Sequence, residues 1–193
     1  MAFFSGRAEF GPRALGRRSI LADPRVPTIQ QRLNDHTKRR EAFRPFAPAV
    51  LSDRAADWFD LDVEAPYMTF VAPVRGVEPG PVDLSTLAEG CAPPPLGPLP
   101  AVTHVDGTAR IQTVEHDTNP TFHSVLTAFE RLTGCPVLLN TSFNIRGQPI
   151  VCTPADAYEC FTDTDLDHLV LGRFLISSGS GSTPSGADSG LDG

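Results

Sequence analysis

PVLLNTSFNIRGQPIVCTPADA, residues 136–157, joins a strand, a polar turn and the start of a helix within one short stretch. The apolar residues 136–142 are typical of a buried strand, and PIVCT (149–153) predicts another. TPAD (153–156) is a helix start signal, with a cap residue, a proline at the first position and an acidic third residue. Strand and helix signals this close together indicate a sheet with helices packed against it.

The same mixture of strands and helices extends along the rest of the chain without a strict repeat. Further strand signals fall at 2–5, 46–51, 67–74, 166–172 and 173–176, with a hairpin over 103–114 that turns at Asp106-Gly107. Helix signals fall at 27–38, after Ser52 or Asp53, over 120–134 and from Thr153. We therefore expect one α/β domain, a twisted mixed sheet with packed helices.

The domain is expected to cover residues 1–176, with two segments of unusual composition. Residues 76–100 are rich in proline and glycine, which predicts a surface insertion without a fold element of its own. The Gly/Ser-rich residues 177–193 predict a disordered tail.

The bulk composition is that of an ordinary globular protein, with 193 residues of which 40% are hydrophobic and 20% charged. No apolar run approaches the roughly 18 residues of a membrane span, and the N-terminus lacks the pattern of a signal peptide. The four cysteines contain no C-x-x-C pair, which predicts reduced side chains. These features favour a cytoplasmic location without a membrane partner.

Charge is distributed unevenly along the chain, whose formal net charge is −7. Residues 1–44 hold ten basic and four acidic side chains, whereas the remainder holds six basic and nineteen acidic ones. The acidic majority would be repelled by nucleic-acid phosphates, which disfavours a nucleic-acid partner. One basic segment in such a chain suits a local site for a small, highly charged anion.

HTKRREAFRPF (36–46) concentrates these cations and contains Lys38, the only lysine of the chain. In an extended chain, Lys38 and Arg40 would share one face and Arg39 would take the other. The pair would offer an anion one compact ammonium and one planar guanidinium, which grips phosphate oxygens bidentately. The alternative is a solvated basic surface, which the single lysine in an arginine-rich chain disfavours.

Polar side chains follow the apolar strand in LLNTSFNIRG (138–147). Open α/β sheets usually hold their ligands where strands end. Ser142 and Asn144 alternate onto one face of the chain, and Arg146 extends that face. The alternative is a polar turn after a core strand.

A third candidate is the loop-rich GRAEFGPRALGRRS (6–19), where glycines permit close backbone approach. Arg13, Arg17 and Arg18 offer further guanidinium groups to an anion. The segment matches no Walker or Rossmann glycine pattern, and a basic interface loop is the alternative.

A metal site built from His104, Asp106, His116 and Asp117 is disfavoured, because histidines beside turn aspartates are commonplace. A Ser–His–Asp triad has no G-x-S-x-G elbow to support it. We expect no metal ligands in this chain.

Three segments carry a resemblance to a known family: residues 6–25, RREAFRPFAPAVL (39–51) and residues 136–157. Together they resemble the C-terminal domain of the O-carbamoyltransferase family, whose members carbamoylate nodulation factors and, in antibiotic biosynthesis, cephamycins and tobramycin. The resemblance covers residues 2–176 apart from the insertion. In that family the domain has a YrdC-like fold, similar to threonylcarbamoyl-adenylate synthases, whose signature is a K-x-R pair with a later S-x-N.

Both parts of that signature are present, as Lys38/Arg40 and Ser142/Asn144. The resemblance implies binding of ATP, accompanied by Mg²⁺, and of carbamoyl phosphate, followed by formation of carbamoyl-adenylate. The residues expected to bind these substrates are Arg13, Lys38, Arg40, Arg44, Arg110, Ser142, Asn144 and Arg146.

Within this set the resemblance suggests separate roles. Lys38 and Arg40, the expected catalytic pair, would hold the carbamoyl and phosphate oxygens. Ser142 and Asn144 would fix the nucleotide phosphates, and Arg110 would close the pocket.

Whole members of the family carry a larger N-terminal, Kae1-like domain with a metal site that passes the carbamoyl group to an acceptor hydroxyl. The sequence shows nothing similar, so we expect a fragment, a split subunit or a truncated reading frame, and a Kae1-like domain or subunit as the partner. Two other functions remain open. One is a threonylcarbamoyl-adenylate synthase of tRNA modification, which the GPRALG and FRPFAPAV segments disfavour, and the other is a non-catalytic nucleotide-binding subunit.

Overall fold

The computed structural model describes residues 1–41, 43–78 and 96–178, which form one mixed sheet with helices packed against it. Its strands are β1 (Ala2–Phe4), β2 (Arg18–Ala22), β3 (Ala47–Leu51), β4 (Phe70–Pro73), β5 (Thr108–Val114), β6 (Val137–Ser142), β7 (His168–Leu171) and β8 (Phe174–Ser177). They lie in the order β4-β5-β3-β6-β2-β1-β7-β8. The pairs β3–β5 and β1–β7 are parallel, and the other neighbours are antiparallel. The predicted single α/β domain is confirmed.

Helices occur at the positions that the sequence signals predicted. They are α1 (Ile29–Arg32), which continues as a π-helical turn (Leu33–Lys38), a 3₁₀ turn (Ser52–Arg54) that leads into α2 (Ala55–Trp58), α3 (Pro120–Thr133) and α4 (Pro154–Thr162). The predicted stop at Gly134 ends α3, and the predicted cap at Thr153 forms a capping box with Asp156. In the part of the chain that the structure describes, no helix is long and apolar enough to cross a membrane.

Each face of the sheet has its own apolar core. Successive strand residues point to opposite faces, so on β2 Ile20 packs into one core and Leu21 into the other. Phe122 and Leu126 of α3 belong to the core of Leu21, whereas Phe161 of α4 belongs to the core of Ile20. With both faces covered, the central strands form a rigid base from which loops and strand ends can hold polar side chains.

The predicted hairpin over 103–114 is wrong. Residues 103–107 form a turn in which His104 N donates to Thr108 O at 2.7 Å, and the strand begins only at Thr108. β5 pairs with β4 on one side and β3 on the other. The Asp106-Gly107 signal identified a turn, but tertiary pairing decided which strand lies beside β5.

Two other strand predictions differ from the structure, and one strand was not predicted. PIVCT (149–153) contains no strand, because it is a short connection in which Val151 N donates to Phe143 O at 3.0 Å. The strand expected from residue 67 begins at Phe70, and the glycine-rich segment 6–19 leads into the unpredicted β2.

Several predictions concern residues that the structure does not describe. The predicted insertion and tail lie largely in 79–95 and 179–193, outside the described residues, as does Cys91. Cys135, Cys152 and Cys160 have free thiols. The domain limits therefore remain predictions.

Gly16 brings the loop before β2 close to α3. Its φ is +104°, and a Cβ there would lie 2.2 Å from Cδ1 of Phe122. We expect Gly16→Ala to lower the free energy of unfolding by about 2–4 kcal/mol, because backbone strain and overpacking add. Urea denaturation with an unchanged m value would measure the loss.

Gly11→Ala is the matched control. Gly11 also has a positive φ, +141°, but no atom lies within 4 Å of the Cβ position. It should therefore lose only about 1 kcal/mol, from backbone strain alone. Equal losses in the two variants would contradict a packing role for Gly16.

Candidate functional site

The predicted site residues line two adjoining cavities, of about 370 Å³ and about 330 Å³, beside the end of β6. The residues that line both cavities are Arg13, Arg40, Arg44 and Ser142. Arg110 lines the larger cavity, and the smaller one is lined by Lys38, Asn144 and Arg146. The structure therefore brings the whole predicted set together around one cleft, a name used below for the two cavities.

Lys38 is buried in the wall of the smaller cavity and surrounded by oxygen atoms. Four oxygens lie within hydrogen-bond distance of its Nζ, more than the three N–H donors of an ammonium: Asn144 Oδ1 at 2.8 Å, Asn144 O at 3.1 Å, Ser142 Oγ at 3.2 Å and the Ser142 carbonyl oxygen. The Ser142 hydroxyl in turn donates to Asn144 Oδ1 at 2.7 Å. Lys38 and the S-x-N residues, more than 100 positions apart in sequence, thus form one hydrogen-bonded group.

The extended geometry predicted for residues 38–40 is wrong. Lys38 is the last residue of the π-helical turn, and Arg39 follows in the left-handed region with a φ of +49°. This conformation lets the exposed Arg39 donate from Nη2 to Asp163 O at 3.0 Å, away from the cleft, while Arg40 lies along the cleft. As predicted, the Arg39 side chain lies on a different side of the chain from Arg40. The cause is the end of the helical turn, not an extended backbone.

Asn34, a buried residue of the π-helical turn, positions two of the cleft arginines. Its Oδ1 accepts from Arg40 Nε at 2.7 Å, and its Nδ2 donates to Arg44 O at 3.0 Å. The Arg40 guanidinium also lies over the ring of Phe46, 4.8 Å from its centre. Asn34 was absent from the predicted site set, although its position four residues before Lys38 on a predicted helix could have identified it.

Asn140 lies beside the larger cavity and has a buried side-chain acceptor without a partner among the described residues. Asn140 of β6 is 1% exposed, and its Nδ2 donates to Gln112 Oε1 at 2.7 Å and to Ala14 O at 3.3 Å. Among the described residues, Asn140 Oδ1 has no hydrogen-bond partner. An unmatched buried acceptor costs about 1–3 kcal/mol, and the fold bears this cost at Asn140, whose oxygen is closed off from the cavity.

Asn140 was absent from the predicted site set. It lies two residues before Ser142 on the same strand, so strand alternation places both side chains on one face of the sheet. Applied to β6, that rule could have identified it.

The cleft places several positively charged side chains close to one another, and this lowers the pKa of some of them. Burial first, and then Arg44, lower the pKa of Arg40 to about 10, and burial with the nearby Arg13 lowers the pKa of Arg110. Of the described residues that line either cavity, Glu41 is the one with a carboxylate, and its Oε1 lies 3.8 Å from Arg146 Nη2. A bound polyanion would relieve this repulsion.

Arg17 and Arg18 do not line the cleft. Arg18 is buried over the ring of Phe4, 3.5 Å from its centre, and donates to the carbonyls of Ser5 and Gly6. Its role is therefore to hold the backbone, not to bind an anion.

Lys38 gives anion binding a predictable pH dependence. Burial, and then repulsion by Arg40, lower the pKa of the Lys38 ammonium to about 7. An anion in the smaller cavity would raise that pKa, since it stabilises the charged form. We expect sulfate to bind with uptake of a proton above about pH 7, where its affinity should fall by up to about tenfold per pH unit. Calorimetry in buffers of different ionisation enthalpy measures both quantities.

The pKa values of two other groups near the cleft are shifted away from this range. Burial lowers the pKa of His104 in the larger cavity, and burial raises the pKa of the Cys160 thiol near Lys38. Lys38→Met should therefore abolish the proton uptake. A wild-type sulfate affinity that stays constant between about pH 7 and pH 9 would contradict the assignment.

Similarity to known proteins extends over nearly the whole chain. The family model described as carbamoyltransferase C-terminus matches residues 1–178. The chain is 51% identical over 182 residues to an uncharacterized protein of Synechocystis sp., covering 92% of the chain and 29% of that relative.

Two relatives carry functional names. The chain is 48% identical to nodulation protein NolNO of Sinorhizobium fredii, covering 91% of the chain and 24% of the relative. It is 46% identical to nodulation protein NolO of Bradyrhizobium diazoefficiens, covering 91% and 30%. The chain thus spans less than a third of the length of these curated relatives.

Proposed function

Because the chain belongs to the carbamoyltransferase C-terminus family, we propose that it is the activating domain of an O-carbamoyltransferase. In this function the cleft binds ATP and carbamoyl phosphate and forms carbamoyl-adenylate. A Kae1-like domain then passes the carbamoyl group to an acceptor hydroxyl.

The observation that carries the proposal is the composition of the cleft. Six cationic side chains line its two cavities: Arg13, Lys38, Arg40, Arg44, Arg110 and Arg146. They gather in a chain whose formal net charge is −7. ATP and carbamoyl phosphate together carry the concentrated negative charge that such a cleft would stabilise.

The proposed reaction consumes ATP, carbamoyl phosphate and water. Water cleaves carbamoyl phosphate to carbamate and inorganic phosphate. A carbamate oxygen then attacks the α-phosphorus of ATP, and the bond to the β-phosphate breaks, which gives carbamoyl-adenylate and pyrophosphate. Negative charge develops on the α-phosphate and on the departing pyrophosphate, so catalysis consists mainly of positioning and charge stabilisation.

The geometry supports separate roles for the cleft residues. Lys38 and Arg40 would hold the carbamoyl and phosphate oxygens, and the Lys38 ammonium would exchange at least one of its contacts to Ser142 and Asn144 for a substrate oxygen.

Mg²⁺ would arrive with ATP and share the charge of its phosphates. The described residues contain no group of three or more His, Cys, Asp or Glu side chains that could hold a metal ion by themselves. Glu41 is the carboxylate that the cleft offers as a single ligand, which fits an ion held mainly by phosphate oxygens.

Exchange of labelled pyrophosphate into ATP tests the proposal on the purified chain. Exchange that requires carbamoyl phosphate supports it. Exchange that requires threonine and bicarbonate instead would assign the chain to tRNA modification. ATP binding without either exchange would leave a non-catalytic nucleotide-binding subunit as the function.

A further inference from the structure

We propose that His104 is the general base of the carbamoyl phosphate step, in which its Nε2 takes a proton from the water that cleaves carbamoyl phosphate. The proposal rests on the proposed function, because this step supplies the carbamate for adenylation. The arginines of the cleft can hold negative charge, but a guanidinium stays protonated and cannot accept a proton. The base must therefore be another residue of the cavity wall, and His104 lines the larger cavity.

A chain of hydrogen bonds fixes which nitrogen of the His104 ring carries the proton. The hydrogen bond from Thr108 lowers the pKa of the Asp106 carboxyl, so at neutral pH Asp106 is ionised and can only accept. Its Oδ1 accepts from the Thr108 hydroxyl at 2.7 Å, which uses the one proton of that hydroxyl. Thr108 Oγ1 lies 3.1 Å from His104 Nδ1, so Nδ1 must be the donor of this bond. The ring proton is therefore on Nδ1, and Nε2 keeps its lone pair.

The backbone around His104 is held in place as well. His104 N donates to Thr108 O at 2.7 Å, and Gly107 N donates to His104 O at 2.9 Å, which closes the turn. Gly107 O accepts from Val74 N at 2.9 Å and so ties the turn to the residue that follows β4. A ring fixed by its backbone, a hydroxyl and a carboxylate has the orientation that a histidine base requires.

The lone pair of His104 Nε2 is accessible. Nε2 has no hydrogen-bond partner among the described residues, yet it is not one of their buried unpartnered side-chain atoms, which are Arg18 Nε and Asn140 Oδ1. It therefore keeps accessible surface, on a partly exposed side chain that forms part of the wall of the larger cavity.

His104 is also the suitable base by its charge. The other titratable side chains that line the larger cavity, among the described residues, are four arginines, and Lys38 and Glu41 line only the smaller cavity. Burial lowers the pKa of His104, an effect that Asp106 opposes and Arg110 increases, so the ring is neutral at pH 7. Bound phosphate would raise that pKa and allow the ring to hold a proton during the reaction.

In the proposed step, His104 Nε2 removes one proton from water as the water oxygen bonds to the carbonyl carbon of carbamoyl phosphate. The bond from that carbon to the bridging oxygen breaks, and phosphate leaves with the bridging oxygen and the second proton of the water. The products are carbamate, hydrogen phosphate and protonated His104, which returns its proton to solvent. Arg40 and Arg110, in the same cavity wall, would stabilise the charge on the departing phosphate.

The test compares two sources of carbamate in ATP–pyrophosphate exchange by the full chain. With carbamoyl phosphate, exchange requires the His104 step, whereas freshly dissolved ammonium carbamate supplies carbamate directly. His104→Gln keeps a polar side chain but cannot take up a proton. We expect it to lower the initial rate with carbamoyl phosphate by about 10²-fold or more, and the rate with carbamate by less than about threefold. Exchange with carbamate also shows that the variant is folded.

Chemical rescue provides a second readout, which a structural role would not produce. His104→Ala leaves the space of the ring open, and added imidazole should raise its exchange with carbamoyl phosphate by about tenfold or more. His168→Gln is the matched control. Nδ1 of His168 also lies 3.1 Å from a hydroxyl, that of Ser177, but His168 lines neither cavity. Both exchange rates should change by less than about twofold in this variant.

The outcomes separate the proposal from the function on which it rests. Exchange with carbamoyl phosphate at the wild-type rate in His104→Gln overturns the base, and so does an equal loss with carbamate or a loss in His104→Ala that imidazole does not restore. A wild-type chain that exchanges with carbamate but not with carbamoyl phosphate also overturns it, while adenylation stands. A wild-type chain that exchanges with neither overturns the proposed function as well.

Discussion

Lys38→Met and Lys38→Arg should each lower ATP–pyrophosphate exchange by about 10²–10³-fold, the loss typical of a preorganised charge-stabilising group. The methionine variant removes the positive charge. The arginine variant keeps it, but oxygens of Ser142 and Asn144 lie within 3.2 Å of Nζ, so a planar guanidinium does not fit there. Initial rates of exchange at saturating ATP and carbamoyl phosphate measure the effect.

Measurements of the free energy of unfolding distinguish a loss of exchange activity in these variants from a loss of folded protein. The Lys38 pKa of about 7 in the folded chain lies below the ordinary lysine value of 10.5. Between these values the unfolded chain binds the extra proton, so wild-type stability should decline relative to Lys38→Met as the pH falls from about 10 to about 7. Exchange at the wild-type rate in Lys38→Arg would contradict the requirement for an ammonium.

The second-largest expected effect is a difference in the rate of ATP–pyrophosphate exchange between two matched variants, Arg40→Ala and Arg39→Ala. Arg40→Ala should lower exchange by about 10²-fold, because Arg40 lines both cavities and would hold phosphate oxygens. Arg39→Ala removes the same charge one position earlier, but Arg39 donates to Asp163 O outside the cleft. Its exchange rate should change by less than about twofold. Parallel rate measurements on the two variants give the comparison.

The ionic strength of the assay provides a further control. Both variants lose one positive charge, so a general electrostatic effect would lower the two rates equally and would disappear at high salt. Equal losses in the two variants would contradict the division of roles between the neighbouring arginines. A loss confined to Arg40→Ala that persists in salt supports direct contact with the substrates.

Local signals predicted most of the helices and strands because their causes are local. The capping box at Thr153 and the left-handed Gly134 satisfy helix ends with neighbouring atoms, so they can be identified from sequence. The pairing of β5 could not be, because Asp106-Gly107 specifies a turn and says nothing of the strand that lies next to it. Pairing depends on contacts distant in sequence, which no local pattern contains.

The sequence by itself determined which chemical groups the site contains. One lysine, several arginines and the S-x-N residues stand out as residue types, and the eight predicted side chains line one cleft. Only the tertiary structure decided how they are held. The π-helical turn ends at Lys38, Arg39 takes the left-handed conformation, and Asn34 fixes Arg40.

Asn140 shows the same division most clearly. Its amide is visible in the sequence, but the direction of its carbonyl depends on Gln112 of β5 and on the loop carbonyl of Ala14. Those atoms are 28 and 126 positions away along the chain. Residue type sets the chemistry available at a position, whereas orientation is set by hydrogen-bond partners that only the folded sheet brings together.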